Sequence, residues 1–500
     1  MKNILEKKNL VSTFSFKEDL IPSLLKYIIA IISLLPGYFI GDRILLLWYL
    51  VVAFALIFKR IDIIITIFVI WAFLYGGAYH YNLVGPSRGG IFYKYLNTYI
   101  FLMLIAAYFF AKKSKNVKLT KILIFGLMLC IIAILSGVVN RVHFLRILGY
   151  LAEYFKWFFF AFILARTRLP LKKLRALVFL IFGIILINSI FGFIQQLFLP
   201  SQGTPVGYVT SYADKASGLF GATAGPYLTY LCIAAASFFI FRYLSRIGTY
   251  NLILGTLFLL QPIIAESKAA ITVGGMLFVI FLLYLLIYLK VLKLGFGVPI
   301  RYTLFIILLL VSLNIYNTTY SVYGINPFQY SYSFVRARNR ITDFEKINAY
   351  RDVFKKVAPS KELGLIVGIG PGRFTKTIQS AGNPFGFNPD RSGWRSSSDF
   401  RVTELSTLIS ELGLLGFLIF VSGMIYMFLF FLRMAKSQTT AENKIFSVFI
   451  SMFIIITLWN SFYWSGMTSG FYYFPLWIFV VYFIKLNDFN KAKSSRELIE

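Results

Sequence analysis

ILIFGLMLCIIAILSGVV, residues Ile122 to Val139, holds eighteen residues without a charge and follows Lys112, Lys113, Lys115, Lys118 and Lys121. As a helix rising about 1.5 Å per residue, it nearly matches the roughly 30 Å hydrocarbon core of a bilayer. Apolar residues occupy every side of it, so it has no face to offer water. It reads as a transmembrane helix with cations at one end.

Similar runs recur along almost the whole chain. Spans are expected at 21–40, 44–58, 62–79, 92–111, 122–139, 149–165, 177–199, 226–241, 251–265, 270–289, 303–316, 405–432, 445–463 and 474–485. The second is short enough to suit a re-entrant segment. Only 14% of the residues are charged and 58% are hydrophobic, where a soluble domain is about a quarter charged. Mean hydropathy is +0.75. The expected fold class is an all-α integral membrane protein with about fourteen transmembrane helices.

A net charge of +30 would suggest nucleic acid in a soluble protein, but the cations sit mainly in alternate short loops. These hold Lys59 and Arg60, then Lys112 to Lys121, then Arg166, Arg168, Lys172, Lys173 and Arg175. Arg242 and Arg246, Lys290 and Lys293, Arg433 and Lys436, and Lys491 and Lys493 continue the series. This is the positive-inside pattern, and it places both termini in the cytoplasm. No nucleic-acid partner is expected. Lys2, Lys7, Lys8 and Lys17 precede a segment carrying Lys26 and Pro36 with no small-residue cleavage site, which reads as a retained first helix. Cys130 and Cys232 lie inside apolar runs, so neither a disulfide framework nor a metal site is expected.

The chain then divides into helices one to eleven (1–316), a large loop outside the cytoplasm (317–404), three further helices (405–485) and a cytoplasmic tail (486–500). Thirteen cations face seven carboxylates in the loop, and an anionic partner accounts for that excess. Arg336, Arg338 and Arg340 share one face of an extended strand, whereas only Arg336 and Arg340 do so in a helix. Their planar donor forks suit phosphate oxygens. A basic surface against lipid headgroups is the alternative reading. Thr342 and Glu345 fit a capping box, and Ile341, Phe344, Ile347, Tyr350, Phe354 and Val357 recur at helical spacing. Arg351 belongs to the same stretch.

GIGPGRF follows, with Gly368, Gly370, Gly372 and Arg373. Its glycines allow tight turns and close approach of backbone N–H groups to a ligand. A structural turn is the plainer reading, since the strand before and the Lys-Ser/Thr after that a nucleotide loop requires are missing. Residues 381–398 read as a loop. Asp399 or Thr403 starts the next helix, which puts the ionisable Glu411 at its outer end, paired or wet.

The order of these pieces resembles the bacterial O-antigen ligase and O-antigen polymerase superfamily. The likeness runs through GFIQQLF and KASGLF (Lys215 to Phe220), ESKAA (Glu266 to Ala270), the arginine-rich loop, GIGPGRF, and the ELGLLGF run from Glu411. It implies a bundle like that of C-type, lipid-donor glycosyltransferases. It also implies transfer of a glycan from a polyprenyl diphosphate outside the cytoplasmic membrane of a bacterium, with no cofactor, nucleotide or metal. The chain has no D-x-D pair, in keeping with a donor already activated by its lipid.

On this resemblance Arg336, Arg338, Arg340 and Arg351 hold the diphosphate leaving group. Lys215, Lys268, the loop glycines, Arg373, Arg401 and Glu411 contact substrate. Lysines snorkelling to headgroups are the alternative for Lys215 and Lys268. The implied partners are the polyprenyl-diphosphate-linked oligosaccharide and membrane lipids, with a flippase and a chain-length regulator as protein partners. Family ligases carry a histidine shortly before the ExG helix, where this chain has Val402, Thr403 and Glu404. His80 and His143 lie in other loops. The departure favours a polymerase over a ligase and leaves Glu404 and Asp399 as the nearest candidate bases. A transporter of the same lipid-linked sugars is the competing class, opposed by the lack of paired halves.

Overall fold

The computed structural model describes residues 19–80, 91–113, 117–198, 218–220, 225–264, 268–291, 350, 353–357, 363–373, 403–463 and 473–497. Helices dominate them. We number these α1 (Ile21–Leu34), α2 (Leu46–Ile57), α3 (Ile61–His80), α4 (Ile91–Phe110), α5 (Val117–Val139), α6 (Phe144–Tyr154), α7 (Lys156–Arg166), α8 (Leu171–Phe198), α9 (Gly225–Leu244), α10 (Tyr250–Ile264), α11 (Lys268–Leu283), α12 (Glu404–Ser437), α13 (Ala441–Tyr463) and α14 (Tyr473–Glu497). No strand occurs among the described residues.

Six helical stretches among the described residues are long and apolar enough to cross a membrane, or seven if the bent pair α6 and α7 is one span. Exposure identifies their solvent. On α5 the exposed apolar side chains are Ile124, Leu127, Met128, Ile131, Ile134, Leu135, Val138 and Val139, with Val138 66% exposed. They repeat at helical spacing, so this helix shows outward the apolar stripe that a soluble helix buries. The protein is a membrane protein.

Hydrogen bonds fix which helix ends lie together. Asp62 pairs with Arg60 at 3.0 Å and Lys173 at 3.1 Å, and Arg175 pairs with Asp19. Arg168 N donates to Lys112 O, and Lys485 Nζ donates to Thr167 O. Gln438 Nε2 reaches Asn487 Oδ1, and Arg242 pairs with Glu442. Lys444 Nζ reaches Leu289 O. These contacts join the lysine- and arginine-rich helix ends into one basic face. The alternating loops of the sequence therefore meet on one side, as the charge pattern requires.

The opposite face gathers the other ends. Asp42 Oδ2 accepts from Phe92 N and Tyr93 N, capping α4. Trp48 Nε1 donates to Ser33 Oγ at 3.2 Å, although residues fifteen apart in one straight helix lie about 22 Å apart. The 37-residue apolar stretch Ile21–Ile57 thus turns back on itself through Gly41 (φ 68°), as the two expected segments 21–40 and 44–58 imply.

The middle of the bundle is aromatic. Phe182 of α8 stacks on Phe238 of α9 at 5.2 Å and Phe479 of α14 at 5.6 Å, and meets Phe449 of α13 at 5.8 Å. Lipid tails are as apolar as these rings, so close van der Waals packing, not escape from water, holds the four helices together. Polar groups repair the backbone where it is broken. Pro262 inside α10 has no N–H for the carbonyl of Phe258, and the Ser189 hydroxyl donates to that oxygen instead.

Two expectations are corrected. The span 149–165 is not one rod: it bends by 62° between α6 and α7, where Phe155 (φ −105°, ψ 9°) leaves the helical region. The apolar stripe of the outer loop also shifts. Val353 is buried against Ile369 and Ile409 while Phe354 is exposed, because the turn Val353–Val357 is wound as a π-helix, which changes the register of side chains. The span 303–316, the capping pair Thr342 and Glu345, and Ile341, Phe344 and Ile347 lie outside the described residues.

Candidate functional site

Three pieces of chain meet at the face opposite the basic one: the C-terminal end of α5, the Gly368–Arg373 turn of GIGPGRF, and a break in α12. The break is at Gly413, whose φ of 68° and ψ of −171° interrupt the helix in a region that essentially only glycine visits. Carbonyls at a helix end need donors from elsewhere. Ser410 O accepts from Ile369 N at 2.8 Å, and Glu411 O from Gly370 N at 3.3 Å. The Ser136 hydroxyl donates to Glu411 O at 2.8 Å.

The loop is held from its other side by Asn140. Its Nδ2 donates to Gly368 O and to Ser136 O, both at 2.9 Å. Gly368 has φ 78° and ψ −178°, and a Cβ there would stand 2.3 Å from the backbone carbonyl of Glu411. Close approach of one backbone to another requires a glycine at Gly368. Gly370 (φ 109°) and Gly372 (φ 71°) also take left-handed φ.

Glu411 is fully buried. It sits two turns into α12, whose N-cap is Thr403. Thr403 Oγ1 accepts from Ser406 N, and Ser406 Oγ accepts from Thr403 N, a capping box built from two hydroxyl residues. Of the two expected starts, Thr403 is the one used. Thr403, Ser406, Thr407, Ser410 and Glu411 are all buried and repeat at three- and four-residue spacing, so α12 turns a continuous polar stripe inward before it breaks.

Tyr350 ties the stripe to the preceding loop. Its hydroxyl donates to Phe462 O at 3.0 Å and lies 2.7 Å from Thr403 Oγ1. Beyond it, the Ser461 and Tyr473 hydroxyls meet at 2.8 Å, and Trp459 Nε1 donates to the Tyr230 hydroxyl. Arg373, half-buried, closes the loop turn with its N–H on Gly370 O.

A second motif pair is also joined. Gln195 of GFIQQLF holds Gly218 of KASGLF on both sides: Gly218 N donates to its Oε1 at 2.9 Å, and its Nε2 donates to Gly218 O at 3.2 Å. Asn188 Oδ1 accepts from Leu219 N.

Of the residues singled out from sequence, the structure brings together Gly368, Gly370, Gly372, Arg373 and Glu411. Lys268 opens α11 and Glu404 opens α12, but their side chains are outside the described set. Lys215, Arg336, Arg338, Arg340, Arg351, Asp399 and Arg401 lie outside the described residues. Arg351 directly follows Tyr350 in the chain, and Arg401 precedes Thr403 by two residues. His143 N-caps α6 through Nδ1.

Ser136, Asn140, Gln195 and Asn188 carry the joints, and of these only Gln195 stood in a quoted motif. Their signal is faint: polar side chains in apolar runs, four apart for Ser136 and Asn140 and seven apart for Asn188 and Gln195. Replacing Asn140 with Leu should leave the buried Gly368 carbonyl without that donor and cost about 1–3 kcal/mol. The effect is read as a lowered melting temperature of the detergent-purified protein; an unchanged melting curve would mean that the joint contributes nothing.

No protein-family model matches the chain, and no curated protein matches it.

Proposed function

We propose that this chain is a polysaccharide polymerase. It transfers a glycan from a polyprenyl-diphosphate donor to a sugar hydroxyl of a second lipid-linked oligosaccharide, at the outer face of a bacterial cytoplasmic membrane. The observation that carries the reading is the docking of GIGPGRF on the broken ELG turn, two pieces of the O-antigen polymerase and ligase resemblance that are about forty residues apart in sequence. On this reading the chain crosses the membrane fourteen times with both termini inside, and 317–404 folds over a cavity outside.

The chemistry follows from the donor. The acceptor oxygen bonds to the anomeric carbon as the bond from that carbon to the diphosphate breaks, and the diphosphate leaves with the electron pair. Charge grows on its oxygens, and fixed guanidinium groups at Arg336, Arg338, Arg340 and Arg351 stabilise it. Lys215, Lys268, Arg373 and Arg401 are further phosphate contacts. Glu404 or Asp399 takes the acceptor proton. The buried Glu411 orients the loop side of the site.

The test is incubation of purified protein in lipid with a polyprenyl-diphosphate oligosaccharide, without nucleotide or metal, followed by gel analysis. A ladder of longer chains is the expected result. A single transfer that needs an added lipid or protein acceptor would make the chain a ligase, and movement of the sugar across the bilayer with no new bond would make it a transporter.

A further inference from the structure

Away from that site, a cleft of about 320 Å³ opens at the basic face between α1, α3 and α8. Its rim is charged: Lys26 from α1, Arg60 and Asp62 from the start of α3, and Lys173 from α8. Its wall is apolar, with Ile63, Ile67, Leu169 and Leu177 among the lining residues. Asp62 faces both Arg60 and Lys173 within about 3 Å, which fixes the two cations side by side. About half of each of their side chains stays exposed.

Lys26 is the one cation of α1, set among Leu24, Leu25, Ile28 and Ile29. Among the described residues no hydrogen bond or ion pair engages its ammonium group. A cation on an apolar helix is costly unless something anionic or wet meets it, and here it lines the same cleft as two more. Three cations against one carboxylate leave an excess of positive charge.

We propose that this cleft binds the phosphate headgroup of an anionic phospholipid from the leaflet at the basic face, with an acyl chain along the apolar wall. The shared chemistry is a phosphate oxygen held by Lys26, Arg60 and Lys173. The apolar wall selects the lipid over a free phosphate ion, because a small anion gains nothing from Ile63, Ile67 and Leu177. Helix α1 thereby gains a tether to α3 and α8 beyond its direct contacts.

The experiment is native mass spectrometry of the full-length protein in detergent, titrated in separate arms with dioleoylphosphatidylglycerol, dioleoylphosphatidylcholine and inorganic phosphate. Wild type should retain the anionic lipid over the zwitterionic one. The double variant Lys26→Ala with Lys173→Ala should lose that preference by roughly tenfold or more. Arg433→Ala, a change at the same face outside the cleft, should keep it. Should the double variant not purify, Lys26→Gln alone, at an exposed helical position, should weaken retention by about fivefold. Equal retention by wild type and these variants overturns the proposal, as does displacement of the lipid by millimolar inorganic phosphate, which would assign the cleft to a free anion.

Discussion

The Gly413→Ala protein is expected to lose most of its folded yield, with a destabilisation on the order of 4 kcal/mol or more. Two costs add. The backbone at φ 68°, ψ −171° excludes an ordinary L-residue, and a Cβ would stand 2.2 Å from the carbonyl oxygen of Ile366 and 2.6 Å from Gly368 N. Both neighbours are backbone, so no side chain can swing away. Relief requires either straightening α12 or undocking the loop, and either breaks the bonds of Ser410 O and Glu411 O. Gly368→Ala should behave in the same way, since its Cβ meets the backbone of Glu411 and Leu412. The comparison is Gly275→Ala in α11, where a Cβ meets nothing within 4 Å and helix propensity favours the change by up to about 1 kcal/mol. Thermal melting monitored by size-exclusion profile reads all three. A Gly413→Ala protein as stable as Gly275→Ala would mean that the break in α12 is not fixed by the loop.

The same pair shows where sequence reading stops. Apolar length and loop charge depend on single segments, so the membrane class and the alternation of helix ends were legible, while the sequence left the start of α12 open between Asp399 and Thr403. The break at Gly413 was not legible, because ELGLLGF is a good helical run by itself and the loop that unwinds it lies more than forty residues earlier. The bend at Phe155 was hidden too, since no proline or glycine marks it. GIGPGRF carried a visible glycine pattern but no indication of its partner. Ser136 and Asn140 read as interruptions in an apolar run until Gly368 and Glu411 stood opposite them.

The loop that follows Tyr350 and the loop that precedes Thr403 start and end on one hydrogen-bonded platform, formed by Tyr350, Val353, the 368–373 turn and α12. A platform held by backbone-to-backbone bonds loses little when a ligand arrives, because its groups are already ordered. On the proposed function, such a fixed base would serve to position the donor's diphosphate.

Alanine at Arg336, Arg340 or Arg351 should lower transfer by about 100- to 1000-fold while the protein still inserts and purifies as wild type does. The size follows from the chemistry proposed: negative charge appears on the leaving diphosphate only as the glycosidic bond breaks, so each guanidinium acts on the rate more than on donor binding. Lysine should restore little, since a point charge on a flexible stem does not replace a planar fork that takes two phosphate oxygens at once. Arg373→Ala should cost less, because that side chain follows the docked turn and its backbone N–H, kept in the variant, closes the turn on Gly370 O. Initial rates with the lipid-linked donor, measured with melting temperatures on the same preparations, separate the two kinds of loss. Wild-type rates in all three arginine variants would remove the leaving-group role from the loop, and a loss of rate that tracks a fallen melting temperature would assign these arginines to the fold.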